Sequence, residues 1–286
     1  MVDFEQRRFA TRSGVTLAAD VAGSPDGAAV ILGHGGGQTR HSWSGAMRRL
    51  VDEGYYVINY DARGHGESDW APNGEYGLAV LADDLLDILA TVSGPVALVG
   101  ASMGGMTSFY AIGHSDHPIA RALVMVDIAL RPAIDGAEKI RSFMMANSDG
   151  FASLDEVADA VAAYNPHRKR TSNPQGLLKN VRLREDGRYY WHWDPRVIRQ
   201  SPSVEPPDYL SALVQVSPKV TLPTMLIRGG FSDIVTDAQL EEMKRLVPQT
   251  EIFEVPGAGH MVAGDRNDAF NQGVIDFLHR HHPVRG

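Results

Sequence analysis

The chain has 286 residues, a formal net charge of −8, 43% hydrophobic residues and no cysteine. The lack of cysteine excludes thiol catalysis, thiolate metal sites and disulfides. The acidic balance argues against a nucleic-acid partner, since phosphate binding needs clustered Lys and Arg; Arg168-Lys169-Arg170 is read as a solvated loop.

Residues 1–8 are charged and no apolar core follows them, so no signal peptide is expected. No apolar run approaches the roughly 18 residues of a membrane span. A soluble cytoplasmic enzyme without a membrane partner is the expectation. Residues 4–10 and 15–21 predict a hairpin across Ser13-Gly14, and 28–33 a strand buried on both faces. Residues 42–53 have helical spacing through Trp43, Met47, Leu50 and Val51 and stop at Gly54; 55–60 is the next strand. A helix follows over 78–92, with Leu81, Leu85, Ile88 and Leu89 inward and Asp83, Asp84 and Asp87 on its wet side. Then come a strand at 96–99, a helix after Ser102 and a strand at 122–126. Such alternation predicts an α/β fold with a mostly parallel, doubly wound sheet, its active residues beyond the carboxyl ends of the strands.

From 131 to 219 the alternation stops. Helical spacing recurs at 137–147, 154–164, 176–180 and 211–216, between prolines and the aromatic run 189–195. The predicted organisation is a core over 1–130, an insertion over 131–219 and a second core part over 220–286. Histidines 279, 281 and 282 sit in a tail and no His-x-x-x-His with an acid stands on a helix, so no metal is expected. Neither a Walker lysine nor a G-x-G-x-x-G run is present, and no cofactor is expected.

The run from Pro95 to Met106 is an apolar strand, a Gly-x-Ser-x-Gly turn and the start of a helix. A serine on so sharp a bend needs small neighbours two residues either side, which Gly100 and Gly104 supply. The helix aims its N–H groups and positive dipole end at the serine, where an oxyanion would form. Ser102 is thereby the candidate nucleophile, with the backbone N–H of Met103 as one oxyanion donor. Downstream, a strand at 224–228 breaks at Gly229-Gly230 and delivers Asp233. A strand at 250–255 is followed by Gly257-Ala258-Gly259 and His260.

Nucleophile, acid and histidine in that order, with Leu32-Gly33-His34-Gly35-Gly36-Gly37 and Asp61-Ala62-Arg63-Gly64-His65-Gly66-Glu67-Ser68 upstream, resemble the α/β-hydrolase superfamily over nearly the whole chain. The resemblance implies an α/β-hydrolase fold with a helical cap inserted after strand six. It further implies a triad of Ser102, Asp233 and His260, and Gly36 as the second oxyanion donor. Asp127, after strand six, and Asp265, beside His260, compete with Asp233, which is preferred because Gly-Gly-x-x-Asp after strand seven is the commoner family arrangement. Arg63, His65 and His34 are read as architecture. Trp191 and Trp193 are read as substrate-binding walls of the cap, with packing of the cap as the alternative. The expected activity is hydrolysis of a small-molecule carboxylic ester or lactone through an acyl-enzyme. The alternatives are a carbon–carbon bond hydrolase, a lyase of the menaquinone-synthesis type on the same triad, or a small-molecule receptor.

Overall fold

In chain order, the elements begin with β1 (Glu5–Ala10), β2 (Thr16–Ala22), β3 (Ala29–Gly33), α1 (Ser44–Asp52), β4 (Tyr56–Tyr60), α2 (Leu78–Leu89), β5 (Val96–Ala101), α3 (Met103–His114) and β6 (Ala122–Val126). After these come α4 (Ile134–Met145), α5 (Leu154–Tyr164), β7 (Val181–Leu183), β8 (Tyr189–Trp191), α6 (Arg196–Arg199) and α7 (Asp208–Val216). The chain closes with β9 (Thr224–Gly229), α8 (Asp237–Leu246), β10 (Thr250–Val255) and α9 (Asp268–His281). The computed structural model describes residues 4–164, 170–199, 208–256 and 268–284.

Among the described residues, eight strands form one sheet in the order β1-β2-β4-β3-β5-β6-β9-β10. β1 and β2 run antiparallel, as do β2 and β4; the remaining neighbours are parallel. Side-chain alternation sorts the sheet into two cores. Ile31, Ile58, Leu98 and Leu123 face α2, α3, α7 and α8, where Leu85, Phe109, Leu213 and Leu240 meet them. Val30, Val57, Val99 and Val124 face α1 and α9, meeting Met47, Leu50, Phe270 and Phe277. Each fully buried side chain of this kind stabilises the fold by about 1.5–3 kcal/mol. The chain leaves β3 toward β4 on one side and returns to β5 on the other, so the crevice for a ligand opens beyond the ends of β3 and β5.

One aspartate departs from its expected place. Asp84 is buried, and Arg63 donates to it from Nε at 2.6 Å and Nη2 at 2.5 Å. Positions 81, 84, 85 and 88 are spaced i, i+3, i+4, i+7, so helical period puts Asp84 on the inner face, and the guanidinium replaces the water it loses.

The segment between β6 and β9 packs in two groups. α4, α5 and the short β7–β8 hairpin build a separate cluster from Met144, Phe151, Val157, Trp191 and Trp193. α7 instead lies on the sheet side, where Leu210 and Leu213 join the larger core and Val216 abuts Gly113. Residues 174–180 form a 3-10 turn, not an α-helix.

The helix after Ser102 approaches the sheet at main-chain contact. A Cβ on Gly104 would fall 2.4 Å from the Gly33 carbonyl oxygen, and one on Gly100 would fall 2.3 Å from the Gly104 carbonyl carbon. Gly104→Ala is therefore expected to destabilise the protein by about 1–3 kcal/mol, as overpacking does. Gly45→Ala is the control: nothing lies within 4 Å of its Cβ position, and a helical Gly→Ala change stabilises by up to about 1 kcal/mol. Urea unfolding of both variants reads the difference, and equal midpoints would overturn the close-contact account.

Candidate active site

Ser102 stands between β5 and α3 with φ 44° and ψ −112°. Strain of this order costs about 1–3 kcal/mol and persists only where neighbours impose it. Here they do: Ser102 N donates to Val126 O, and Met106 N donates to Ser102 O, both at 3.0 Å. The glycine loop after β3 lies beside it, a Cβ on Gly35 falling 3.4 Å from the Ser102 Cβ. In that loop Gly35 N donates to Gln38 Oε1 and Gly37 N to His65 Nε2. The N–H groups of Gly36 and Met103 donate to no other group among the described residues. Two main-chain donors thus flank one strained serine.

Three buried histidines hold this loop, one peptide group each. His34 accepts from Ala62 N at Nε2, so its proton is on Nδ1 and is donated to Gly35 O at 2.8 Å. That bond orients the peptide whose N–H belongs to Gly36. His65 accepts from Gly37 N and donates from Nδ1 to Arg63 O at 3.1 Å, holding the next peptide. His192, from the segment after β8, accepts from Gly66 N at Nδ1 and donates from Nε2 to Gly37 O at 3.3 Å, holding the third. The rings lie in sequence, with centroids 5.1 and 5.9 Å apart. Burial lowers all three pKa values, His65 to about 3 with help from neighbouring His34, and His192 well below the ordinary range. All three are neutral at physiological pH, as their shared donor and acceptor roles require.

A cavity of about 560 Å³ opens over Ser102, Met103 and Gly35 to Gly37. Its far wall comes from α4 and α5 and from Trp191 and Trp193, which stack with ring centroids 4.8 Å apart. Trp191 also packs edge-on to Phe151, so these tryptophans line the cavity and fill the cluster behind it. His192, between them, points the opposite way onto the loops. Met144 closes over the glycine loop, its Cε 3.3 Å from a Cβ on Gly37.

The two acids expected to compete sit differently. Asp127 follows β6 at φ 47°, fully buried; Gly229 N donates to its Oδ1 at 3.1 Å and Ser232 Oγ to its Oδ2 at 2.9 Å. Asp233 has 44% of its side chain exposed and pairs with Lys139 at 3.0 Å. The Tyr164 hydroxyl is pushed up chiefly by burial and then by the negative charges of Asp233 and Asp127. His260 and Asp265 lie outside the described residues.

Arg63 and His65 serve the loop architecture, as does Arg40, which pairs with buried Asp61 and with Asp20. Sequence reasoning passed over Arg141, which lines the cavity. Its signal was available: Ala137, Ile140, Arg141 and Met144 follow i, i+3, i+4, i+7 on α4, a cation within an otherwise apolar stripe.

The model of the alpha/beta hydrolase family matches residues 30–272, and the chain belongs to that family. It is 28% identical to an esterase of Mycobacterium tuberculosis over 257 residues, covering 86% of this chain and 82% of that protein. It is also 28% identical to 2-(acetamidomethylene)succinate hydrolase of Mesorhizobium japonicum over 253 residues, covering 87% and 86%. The sn-1-specific diacylglycerol lipase of Mus musculus is 27% identical, with coverage of 87% and 80%. The crystal structure of E-2-(acetamidomethylene)succinate hydrolase superposes with a TM-score of 0.83 at 25% identity, over 96% of this chain and 99% of that one. Among the described residues no helix is long and apolar enough to cross a membrane.

The neutral histidines make stability depend on pH. Below about pH 6.5 the unfolded chain takes up protons at these rings while the native rings do not. The unfolded state then binds more protons, so stability falls as pH drops through the window from about 6.5 toward the lowered native values. His192→Asn keeps one donor and one acceptor but removes one titrating ring. Its stability should depend less steeply on pH between about 6 and 4, by about 1.4 kcal/mol per pH unit. Urea unfolding across that range checks this, and an unchanged slope would count against a neutral native His192.

Proposed function

We propose that this protein is a serine hydrolase cleaving a small to medium carboxylic ester or lactone through an acyl-enzyme intermediate. The observation that carries it is Ser102, strained at the tip of β5, beside two uncommitted main-chain N–H groups and beneath a cavity. Ser102 Oγ attacks the carbonyl carbon as His260 takes its proton. The N–H groups of Gly36 and Met103 receive the developing oxyanion, with the N-terminus of α3 adding its dipole. Collapse expels the alcohol, which takes the proton back from His260, and water repeats the sequence to release the acid. No cofactor enters these steps. The esterase, lipase and hydrolase names of the relatives support hydrolytic chemistry.

For the third member of the triad, the geometry favours Asp127 over Asp233. An acid that orients a catalytic histidine works from a buried, fixed position. Asp127 has both, through its strained backbone and its bonds from Gly229 and Ser232, whereas Asp233 faces solvent and Lys139. Trp191 and Trp193 act in this scheme as the wall against which longer acyl chains rest.

A fluorophosphonate should label the peptide containing Ser102 and leave Ser102→Ala unlabelled; an adduct elsewhere refutes the nucleophile. On p-nitrophenyl butyrate, Asp127→Asn should lower kcat by about three to four orders of magnitude and Asp233→Asn by far less. The reverse pattern returns the acid to Asp233. Trp193→Ala should shift the octanoate-to-acetate ratio of kcat/KM by several-fold to about tenfold. An unchanged ratio with a lowered melting temperature would make that tryptophan packing alone.

A further inference from the structure

The cavity wall carries cations without matching acids. Among the described residues Arg141, Arg170 and Lys179 line it and no Asp or Glu does, although the whole chain holds 35 acids against 27 Lys and Arg. Arg170 is already paired, with Asp155 at 2.9 Å and Asp159 at 2.5 Å. Arg141 and Lys179 form no ion pair among the described residues. Lys179 is exposed at the rim, where its charge helps to lower the pKa of His41 after burial and Arg40. Arg141 is half-buried: among the described residues its Nε is shielded and without a hydrogen-bond partner, while its two Nη groups are neither shielded nor bonded.

A guanidinium in a largely apolar wall without an acid beside it lacks the partner that offsets its desolvation, and an anionic ligand in the cavity supplies one at the Nη groups. Its neighbours on the same stripe of α4 are Ala137, Ile140 and Met144, none of which offers an oxygen. Arg141 precedes Met144 by about 4.5 Å along the helix axis, and Met144 touches the glycine loop beside Ser102. The free donors therefore lie within a short substrate's length of the serine. A guanidinium is matched in plane and charge to a carboxylate, which it binds through paired N–H bonds.

We propose that the substrate of this site is an anion: an ester or lactone with a carboxylate several carbons from the reacting carbonyl, received by Arg141 while Lys179 draws it in at the rim. This rests on Ser102 being the hydrolytic serine. The apolar remainder of the wall, including Phe143, Trp191 and Trp193, then packs the carbon chain between the two polar ends.

Two p-nitrophenyl esters of equal length separate the charge from everything else: the mono-ester of adipic acid with its free carboxylate, and the same compound capped as a methyl ester. The wild type should favour the free acid in kcat/KM, and the preference should shrink as salt is added. Arg141→Met, which keeps the apolar stem, should lower the acid-to-capped ratio by about tenfold to a hundredfold, and Arg141→Lys should restore part of it. A wild type without preference, or a ratio unmoved in Arg141→Met, overturns the proposal whatever happens to the absolute rates. If neither ester is turned over, the hydrolase assignment fails separately. Calorimetric titration of Ser102→Ala with adipate then decides the anion site: binding lost in the Ser102→Ala, Arg141→Met double variant supports it, and no binding refutes it.

Discussion

The close approach of α3 to β3 and β5 is the constraint on which the site depends. Gly33, Gly100 and Gly104 meet main chain to main chain, at separations that leave no room for a Cβ on Gly100 or Gly104. Because the helix starts so near the sheet, the chain must reverse within a single residue, and Ser102 takes the strain of that reversal. The same contact brings the loop after β3 against the serine, since β3 and β5 are neighbours with Gly33 opposite Gly100. Strained hydroxyl, helix N-terminus and glycine loop are consequences of one packing event.

The glycine loop would be too free to present an N–H reliably if the glycines alone governed it. Its order comes from imidazoles. His34, His65 and His192 each bind one of three successive peptide groups, each using one nitrogen as donor and the other as acceptor. Only the neutral ring can do both, and burial keeps it neutral. Preorganisation of this kind avoids reorienting dipoles while charge develops.

Much of the fold was legible because strands buried on both faces read as unbroken apolar runs, as at 29–33 and 122–126, and because the elbow has a pattern of its own. Asp84 was legible in principle from its place in an i, i+3, i+4, i+7 stripe; its charge outweighed its spacing, and its partner Arg63 is remote in sequence. The β7–β8 hairpin has strands of three residues, too short for alternation to register, although Asp186-Gly187 is a recognised hairpin turn and Gly187 adopts φ +78°. Asp127 and Asp233 both follow strands, and local sequence does not distinguish them. What separates them is burial and the hydroxyl of Ser232, which are properties of the assembled sheet. The histidine partnerships are likewise invisible in one dimension, because they join loops from three distant parts of the chain.

The segment carrying β7 and β8 grips the core largely through atoms that every residue has. His192 binds Gly66 N and Gly37 O, Arg182 donates to Gly66 O, and Asp194 N donates to Gly64 O. Two core side chains join these main-chain contacts: the Tyr76 hydroxyl donates to Asp194 Oδ2 at 2.5 Å, and the His65 ring lies 5.9 Å from that of His192. The two regions can accordingly diverge at different speeds: mutations that reshape the roof need little matching change in the loops below, so long as a few polar groups still meet the same peptide units and His192 and Asp194 keep their places beside His65 and Tyr76. Selection for a new substrate can act on one portion of the gene while the reaction machinery encoded elsewhere stays as it is.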